Sequence, residues 1–164
     1  MNKYGILGWP LERSYSPVIH TFLLKHVSIE GKYELIRMNE ISNKNIDQIN
    51  KSYSGYNVTI PYKEKILEVC EEAHLDVHVK KIGSVNTVKN KDGITSFYNT
   101  DYLGFLNFLE IINFNPEGRK IMILGSGGSS KSINYALNLI KSQATIISRT
   151  NKEEAILYLS LIHI

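Results

Sequence analysis

The chain has 164 residues, 43% of them apolar and 21% charged, with a formal net charge of +3. Such values fit an ordinary globular protein with room for one full domain and part of another, and the dispersed positive balance excludes a nucleic-acid binder built on a basic cluster. No apolar run approaches the ~20 residues that a bilayer span needs. Cys70 has no second cysteine to pair with, and Met1-Asn2-Lys3 runs directly into a strand pattern without the apolar segment of a signal peptide, so a cytoplasmic setting is expected. A phosphate-bearing small molecule is the expected kind of partner.

In chain order, Lys3 to Gly8 reads as a strand, Trp9-Pro10 as a turn, and Ser16-Pro17 as the start of a helix through Val27. Tyr33 to Met38 predicts a second strand and Asn43 to Tyr53 an amphipathic helix with apolar residues at 46, 49 and 53. A third strand follows over Tyr56 to Ile60, then a helix over 63–72 and a short helical segment at 74–80. Ser84 to Val88 and Ile94 to Tyr98 form a hairpin around Asp92-Gly93, and Asp101 to Ile112 a long helix. The alternation of strands and helices predicts an α/β fold with a parallel sheet. Asn115-Pro116-Glu117-Gly118 punctuates the chain, which places a domain boundary at 116 and divides it into residues 1–116 and 117–164.

The stretch Asn57-Val-Thr59-Ile-Pro61-Tyr-Lys63 puts a strand end, a helix start and polar side chains into seven residues. A lysine at a helix N-terminus gains nothing from the dipole, so Lys63 is expected to have its pKa pushed down, with Glu64 and Glu68 partly offsetting this. That makes it a candidate proton carrier, against the plainer alternative of a solvated surface lysine. In the loop Ser14-Tyr-Ser16-Pro17, two hydroxyls near a helix N-terminus suit a carboxylate, although Ser16 also fits a simple N-cap. At Asn99-Thr100-Asp101 either of the last two residues fits a cap, yet this is the third strand-to-helix junction carrying polar side chains. In a parallel sheet such junctions gather on one edge, where ligands bind. An aspartate brought near Lys63 there would form a proton-transfer pair.

Lys120 to Leu124 leads into Gly125-Ser126-Gly127-Gly128-Ser129-Ser130 and a helix with Ile133, Ala136, Leu137 and Ile140 on one face. This is the strand, glycine turn and helix of a dinucleotide-binding unit, with small Ser130 where a third glycine would stand. The next strand, Ala144 to Ile147, ends in Ser148-Arg149-Thr150. Arginine in the place of the usual ribose-binding acid points to a 2′-phosphate and hence to NADP.

These motifs in this order resemble the shikimate dehydrogenase family: Ser14 and Ser16 before Pro17, Asn57-Val-Thr59 with Pro61 and Lys63, Gly83-Ser-Val-Asn86-Thr87, Asn99-Thr-Asp101, Gly125-x-Gly127-Gly128, and Ser148-Arg149-Thr150. The resemblance implies a substrate-binding domain followed by an incomplete Rossmann domain, and the reversible NADPH-dependent reduction of 3-dehydroshikimate to shikimate without a metal. It implies that Ser14 and Ser16 hold the substrate carboxylate, that Thr59, Asn86 and Asp101 bind ring hydroxyls, and that Lys63 and Asp101 form the catalytic pair. It also implies a monomer or homodimer. Ser148 departs from the family's usual asparagine and Ser84 from its usual alanine. The family continues beyond the equivalent of Ile164, and Leu159 to Ile164 fit no family pattern, so a fragment is expected. A quinate-preferring or broader-specificity dehydrogenase and an inactive fragment that only binds ligand are the rival expectations.

Overall fold

The computed structural model describes residues 1–69, 74–149 and 155–157. The chain forms two compact units, Met1–Lys80 with Val85–Tyr98, and Lys81–Ser84 with Asn99–Ile164. Among the described residues no helix is long and apolar enough to cross a membrane.

Strand β1 (Asn2–Gly8), helix α1 (Ser16–His26), β2 (Gly31–Arg37), α2 (Asn43–Ser52) and β3 (Gly55–Val58) follow one another as the sequence predicts. Beyond them come α3 (Tyr62–Lys65), β4 (His74–Leu75), α4 (Val77–Ile82) and the hairpin β5 (Thr87–Lys91) and β6 (Ile94–Tyr98). The sheet order is β2-β1-β3-β5-β6-β4. β1 runs parallel to both β2 and β3, but β5 lies antiparallel to β3 and to β6. The sheet is therefore mixed rather than parallel throughout. The tight turn at Asp92 and Gly93, both with positive φ, accounts for the antiparallel β5–β6 pair.

Period-two alternation gives this sheet two unlike faces. Leu7, Ile36, Tyr56, Val58, Val88 and Phe97 point to one side and pack with Ile46 and Ile49 of α2 and with Ile66, Val79 and Val85 in the main core. The other side carries a smaller cluster of Ile6, Leu11 and Tyr33, flanked by Tyr4 and Leu35. α2 is held at its start by a capping box: the Ser42 hydroxyl accepts from the Asn45 N–H, and the Asn45 carboxamide accepts from the Ser42 N–H.

Two predicted helices differ. Among the described residues, which here run to Val69, the helix expected over 63–72 is the four residues of α3, followed by turns in which Leu67 and Glu68 donate three residues back, to Glu64 and Lys65. This tightening replaces α-helical bonding, and Cys70 falls outside the described residues. The segment expected over 74–80 divides into β4 and α4, because the Asp76 N–H pairs with the Phe97 carbonyl while its carboxylate takes the His78 N–H at 2.8 Å.

In the second unit, α5 (Asp101–Ile111) is followed by β7 (Ile121–Leu124), α6 (Gly128–Leu139), β8 (Ala144–Ser148) and β9 (Ala155–Leu157). The three strands are parallel in the order β7-β8-β9. The sequence shows two of them; β9 is too short to carry a readable pattern. The second compact unit takes in α5, which lies ahead of the Asn115–Gly118 turn. Tyr102 of α5 meets Tyr135 of α6 edge to face at 5.4 Å, and Phe105 packs with Ile123, Leu137 and Ile146.

Candidate functional site

Of the polar residues singled out in the first unit, Thr59, Lys63 and Asn86 lie where β3 ends and β5 begins. Because β5 is antiparallel to β3, its start lies beside the end of β3: the Val58 N–H donates to the Asn86 carbonyl at 2.9 Å. The buried Asn86 in turn donates its N–H to the Tyr98 carbonyl at 3.1 Å. Its backbone is thus fixed from both sides, and its side-chain Oδ1 accepts from the Thr87 hydroxyl at 3.0 Å.

Thr59 leaves β3 with its N–H on the Leu7 carbonyl, and its own carbonyl accepts from the Tyr62 N–H, each at 2.9 Å. A glycine is needed opposite it: a Cβ at Gly8 would stand 2.5 Å from the Thr59 Cγ2. Lys63 is half-buried, and its carbonyl accepts from the Val85 N–H at 2.7 Å, which ties α3 to the chain just ahead of Asn86. α3 is four residues long, so few peptide dipoles align along it.

At the Ser14-Tyr-Ser16 loop the capping arrangement differs from expectation. Tyr15 occupies the cap position of α1 without a side-chain bond, Ser16 is the first helical residue, and the Ser14 hydroxyl accepts from the Ser16 N–H at 3.1 Å. The Ser16 hydroxyl lies against the Tyr33 phenol, where it opposes the strong upward push that burial gives the Tyr33 pKa. Tyr33 also donates to the Asn57 Oδ1 at 2.7 Å, and the His20 ring stacks on it at 4.2 Å and 4°. Tyr33, His20 and Thr87 have no role in the sequence reading. An aromatic on a strand reads as core, and only the facing positions of Asn57 and Thr87 across β3 and β5 reveal the polar chain.

Asp101 belongs to the second unit and opens α5. Neither it nor Thr100 caps that helix by side chain; the Asp101 N–H is taken at 3.0 Å by the Asn99 carboxamide. Asn99 is buried, and its NH2 reaches the Ser84 carbonyl at 2.9 Å and the Ser132 hydroxyl at 2.8 Å.

The glycine turn has the conformation that its sequence implies. Gly125 has φ +115°, a value that side chains rarely adopt, and its N–H donates to the Ile147 carbonyl at 2.8 Å. Gly127 is the N-cap of α6 and Gly128 its first residue, with Ser129 exposed and Ser130 buried behind the turn. Ser130 Oγ lies 3.5 Å from where a Gly125 Cβ would be, an ordinary van der Waals distance. The hydroxyls of Ser126 and Ser148 meet at 2.8 Å and join the glycine turn to the end of β8. Arg149 is exposed just beyond, and Thr150 lies outside the described residues.

A mixed-sheet unit with polar strand ends, followed by a parallel unit with this turn, defines a two-part α/β protein with a Rossmann-like segment. The chain belongs to the shikimate dehydrogenase family: residues 6–88 match the model of the shikimate dehydrogenase substrate binding domain. Among its relatives, the shikimate dehydrogenase (NADP(+)) of Caldicellulosiruptor bescii is 35% identical over 159 residues, covering 94% of this chain and 54% of the relative. The crystal structure of shikimate dehydrogenase 1 from Peptoclostridium difficile has a TM-score of 0.86 at 31% identity, covering 100% of this chain and 64% of that one. A Thermus thermophilus shikimate 5-dehydrogenase in complex with NADP(H) and shikimate has a TM-score of 0.83 at 29% identity, covering 99% and 60%. The chain thus spans little more than half the length of the curated relatives it matches.

Proposed function

We propose that the chain supplies the substrate-binding and catalytic part, about residues 1–116, and the opening of the NADP-binding part, residues 117–164, of a shikimate dehydrogenase. The reaction is the reversible reduction of 3-dehydroshikimate to shikimate, within aromatic amino-acid biosynthesis. The observation that carries it is the cluster at the strand ends of the first unit, where Asn86 is buried with its backbone fixed on both sides. We also propose a cytoplasmic monomer or homodimer acting on a small molecule.

Ser14 and Ser16 hold the substrate carboxylate by their hydroxyls, and Thr59, Asn86 and Asp101 take ring hydroxyls. Lys63, assisted by Asp101, gives a proton to the ketone oxygen as negative charge develops on it, and takes it back in the reverse direction. Gly125, Ser126, Gly127, Gly128 and Ser129 hold the pyrophosphate of NADP, and Ser148, Arg149 and Thr150 its adenosine 2′-phosphate. The positive φ at Gly125 and the Ser126–Ser148 bond fit that assignment, since the turn stays small and anchored to the next strand end. Bound NADPH would supply the hydride.

The test has two stages. Titration of the 164-residue chain with shikimate is expected to show binding that Asn86→Ala weakens. The chain is then joined to the remaining half of the Caldicellulosiruptor bescii relative and assayed for NADPH-dependent reduction of 3-dehydroshikimate. Lys63→Ala should lower that turnover at least ~100-fold, the low end for general acid catalysis, with a smaller effect on shikimate binding. Near-normal turnover by the variant would remove Lys63 from the chemistry. Preference for quinate in the same assay would replace the substrate assignment.

A further inference from the structure

The buried carboxamide of Asn99 joins three pieces of the second unit: the Lys81–Ser84 segment, the start of α5 and the first turns of α6. Its NH2 donates to the Ser84 carbonyl at 2.9 Å and to the Ser132 hydroxyl at 2.8 Å, and its Oδ1 accepts from the Asp101 N–H at 3.0 Å. A carbonyl oxygen only accepts and a backbone N–H only donates, so the carboxamide has one orientation, with both amide protons and the oxygen in use. Ser132, 0% exposed, passes its own proton to the Gly128 carbonyl at 3.0 Å. Gly128 is the first residue of α6, so two side chains connect the glycine turn to the backbone of Asp101. The same three pieces also share an apolar cluster of Ile82, Tyr102 and Ala136.

We propose that Asn99 is a positioning residue: it sets the backbone at Asp101, and so the direction of that carboxylate, and ties it to the helix that opens with the glycine turn. This rests on the reading that Asp101 meets the substrate. The Asp101 N–H lies in the first turn of α5, where helical bonding supplies no acceptor, and the cap residue Thr100 gives no side-chain bond. Asn99 supplies the acceptor from two residues back, which restrains the torsions of Thr100 and Asp101. An aspartate at 99 would keep that acceptor but turn an oxygen toward the Ser84 carbonyl, so the carboxamide is needed for both ends at once. Asp101 has further contacts, and removal of Asn99 therefore loosens it by one bond without setting it free.

The experiment uses the 164-residue chain, shikimate as probe, and Asn99→Ala, Ser132→Ala and Asp101→Ala singly and in pairs. Asn99→Ala is expected to weaken shikimate binding about 3- to 10-fold, the loss of roughly one hydrogen bond, and Ser132→Ala, which leaves Asn99 its Ser84 partner, about 2-fold. In an Asp101→Ala background neither should have a further effect, whereas a tie that only stabilises the unit would weaken binding with Asp101 present or absent. In the ligand-free chain Asn99→Ala should speed hydrogen exchange at the Asp101 amide about tenfold while the Leu109 amide, further along α5, keeps its rate. General loosening of the helix would speed both.

Parent-like binding by Asn99→Ala, losses that persist in the Asp101→Ala background, or an Asp101 amide whose exchange is unchanged would each overturn the proposal while leaving the site assignment standing. Parent-like binding by Asp101→Ala would instead remove Asp101 from the site, and the substrate role of Asn99 with it. Should Asn99→Ala fail to fold, Ser132→Ala decides between the same outcomes, by its binding in the two backgrounds and by exchange at Asp101 about twofold faster than in the parent.

Discussion

The two units solve the burial problem to different degrees. In the first, one face of a six-stranded sheet is closed by α2, the turns after α3, and α4, and its strand leucine Leu7 is 0% exposed. In the second, the three-stranded sheet is covered by α5 and α6 around Ile123, Leu137 and Ile146, while Met122 and Leu124 of β7 remain 63% and 65% exposed. A parallel strand normally sits in a sheet with both faces covered. The difference locates the finished part of the chain: polar side chains at the ends of β1 and β3 rest on a closed core, whereas the glycine turn rests on a strand with one bare face.

The largest effect should come from the same substitution made in each unit. Leu7→Ala empties a fully buried position and should cost about 2–5 kcal/mol. Leu124→Ala removes an exposed side chain and should change stability by no more than about 0.5 kcal/mol. Native-state hydrogen exchange read at β1 and β7 amides measures the two separately. Equal losses would show that β7 is covered in solution, and the contrast between the units would disappear.

A smaller effect should follow at Gly8, where the finished core meets the site. An added methyl group meets the Thr59 Cγ2 at 2.5 Å, so Thr59 must move. Gly8→Ala should destabilise the first unit by about 1–3 kcal/mol, the range for overpacking, and weaken shikimate binding besides. Full retention of binding would separate Thr59 from the substrate.

Much of this was legible in the sequence because it is local. The β1, α1, β2, α2 and β3 succession has clear periodicity, and the glycine turn announces its positive φ in Gly125. Strand partnership is not local. Nothing in the Thr87–Lys91 segment says that its neighbour is β3 or that the pair is antiparallel, and the link from Asn57 to Thr87 depends on that pairing. Polar residues at junctions were found but not their bonds: Ser14 accepts from the Ser16 N–H and Asn99 from the Asp101 N–H, two residues on in each case. Such residues are chemically interchangeable at a helix start, and only the backbone decides among them. The helix expected after Lys63 stopped early because apolar spacing specifies a face to bury and not the bonding pattern that buries it.

In the second unit Arg149 offers a test that does not depend on the closed core. It is exposed, so its contact with a 2′-phosphate would be screened by solvent. Arg149→Ala should weaken NADP about tenfold, roughly 1.4 kcal/mol, and leave NAD unchanged. Equal losses for the two nucleotides would make Arg149 a structural residue of the β8 end.

The smallest effect is one of pH, and it belongs to the first unit. His20 lies flat on the Tyr33 ring, and burial lowers its pKa below the ordinary 6.5. The folded state therefore favours the neutral ring, while the unfolded chain takes a proton at the ordinary value. The contribution to stability is complete above about pH 6.5, declines as the pH falls through the lower folded-state value, and then levels off. Glu34 is shifted the other way relative to its charge, held low by Lys32 and by the Tyr53 hydroxyl at 2.7 Å, so its contribution is present above its ordinary 4.5 and lost below. Measurements between pH 5.5 and 7.5 consequently isolate the imidazole from the carboxylate. Urea midpoints of the parent chain should fall across that range as the pH is lowered, and those of His20→Phe, which keeps an aromatic face on Tyr33, should fall less. Identical slopes for the two proteins would place the His20 ring in water and detach α1 from the hydrogen-bond chain beneath it.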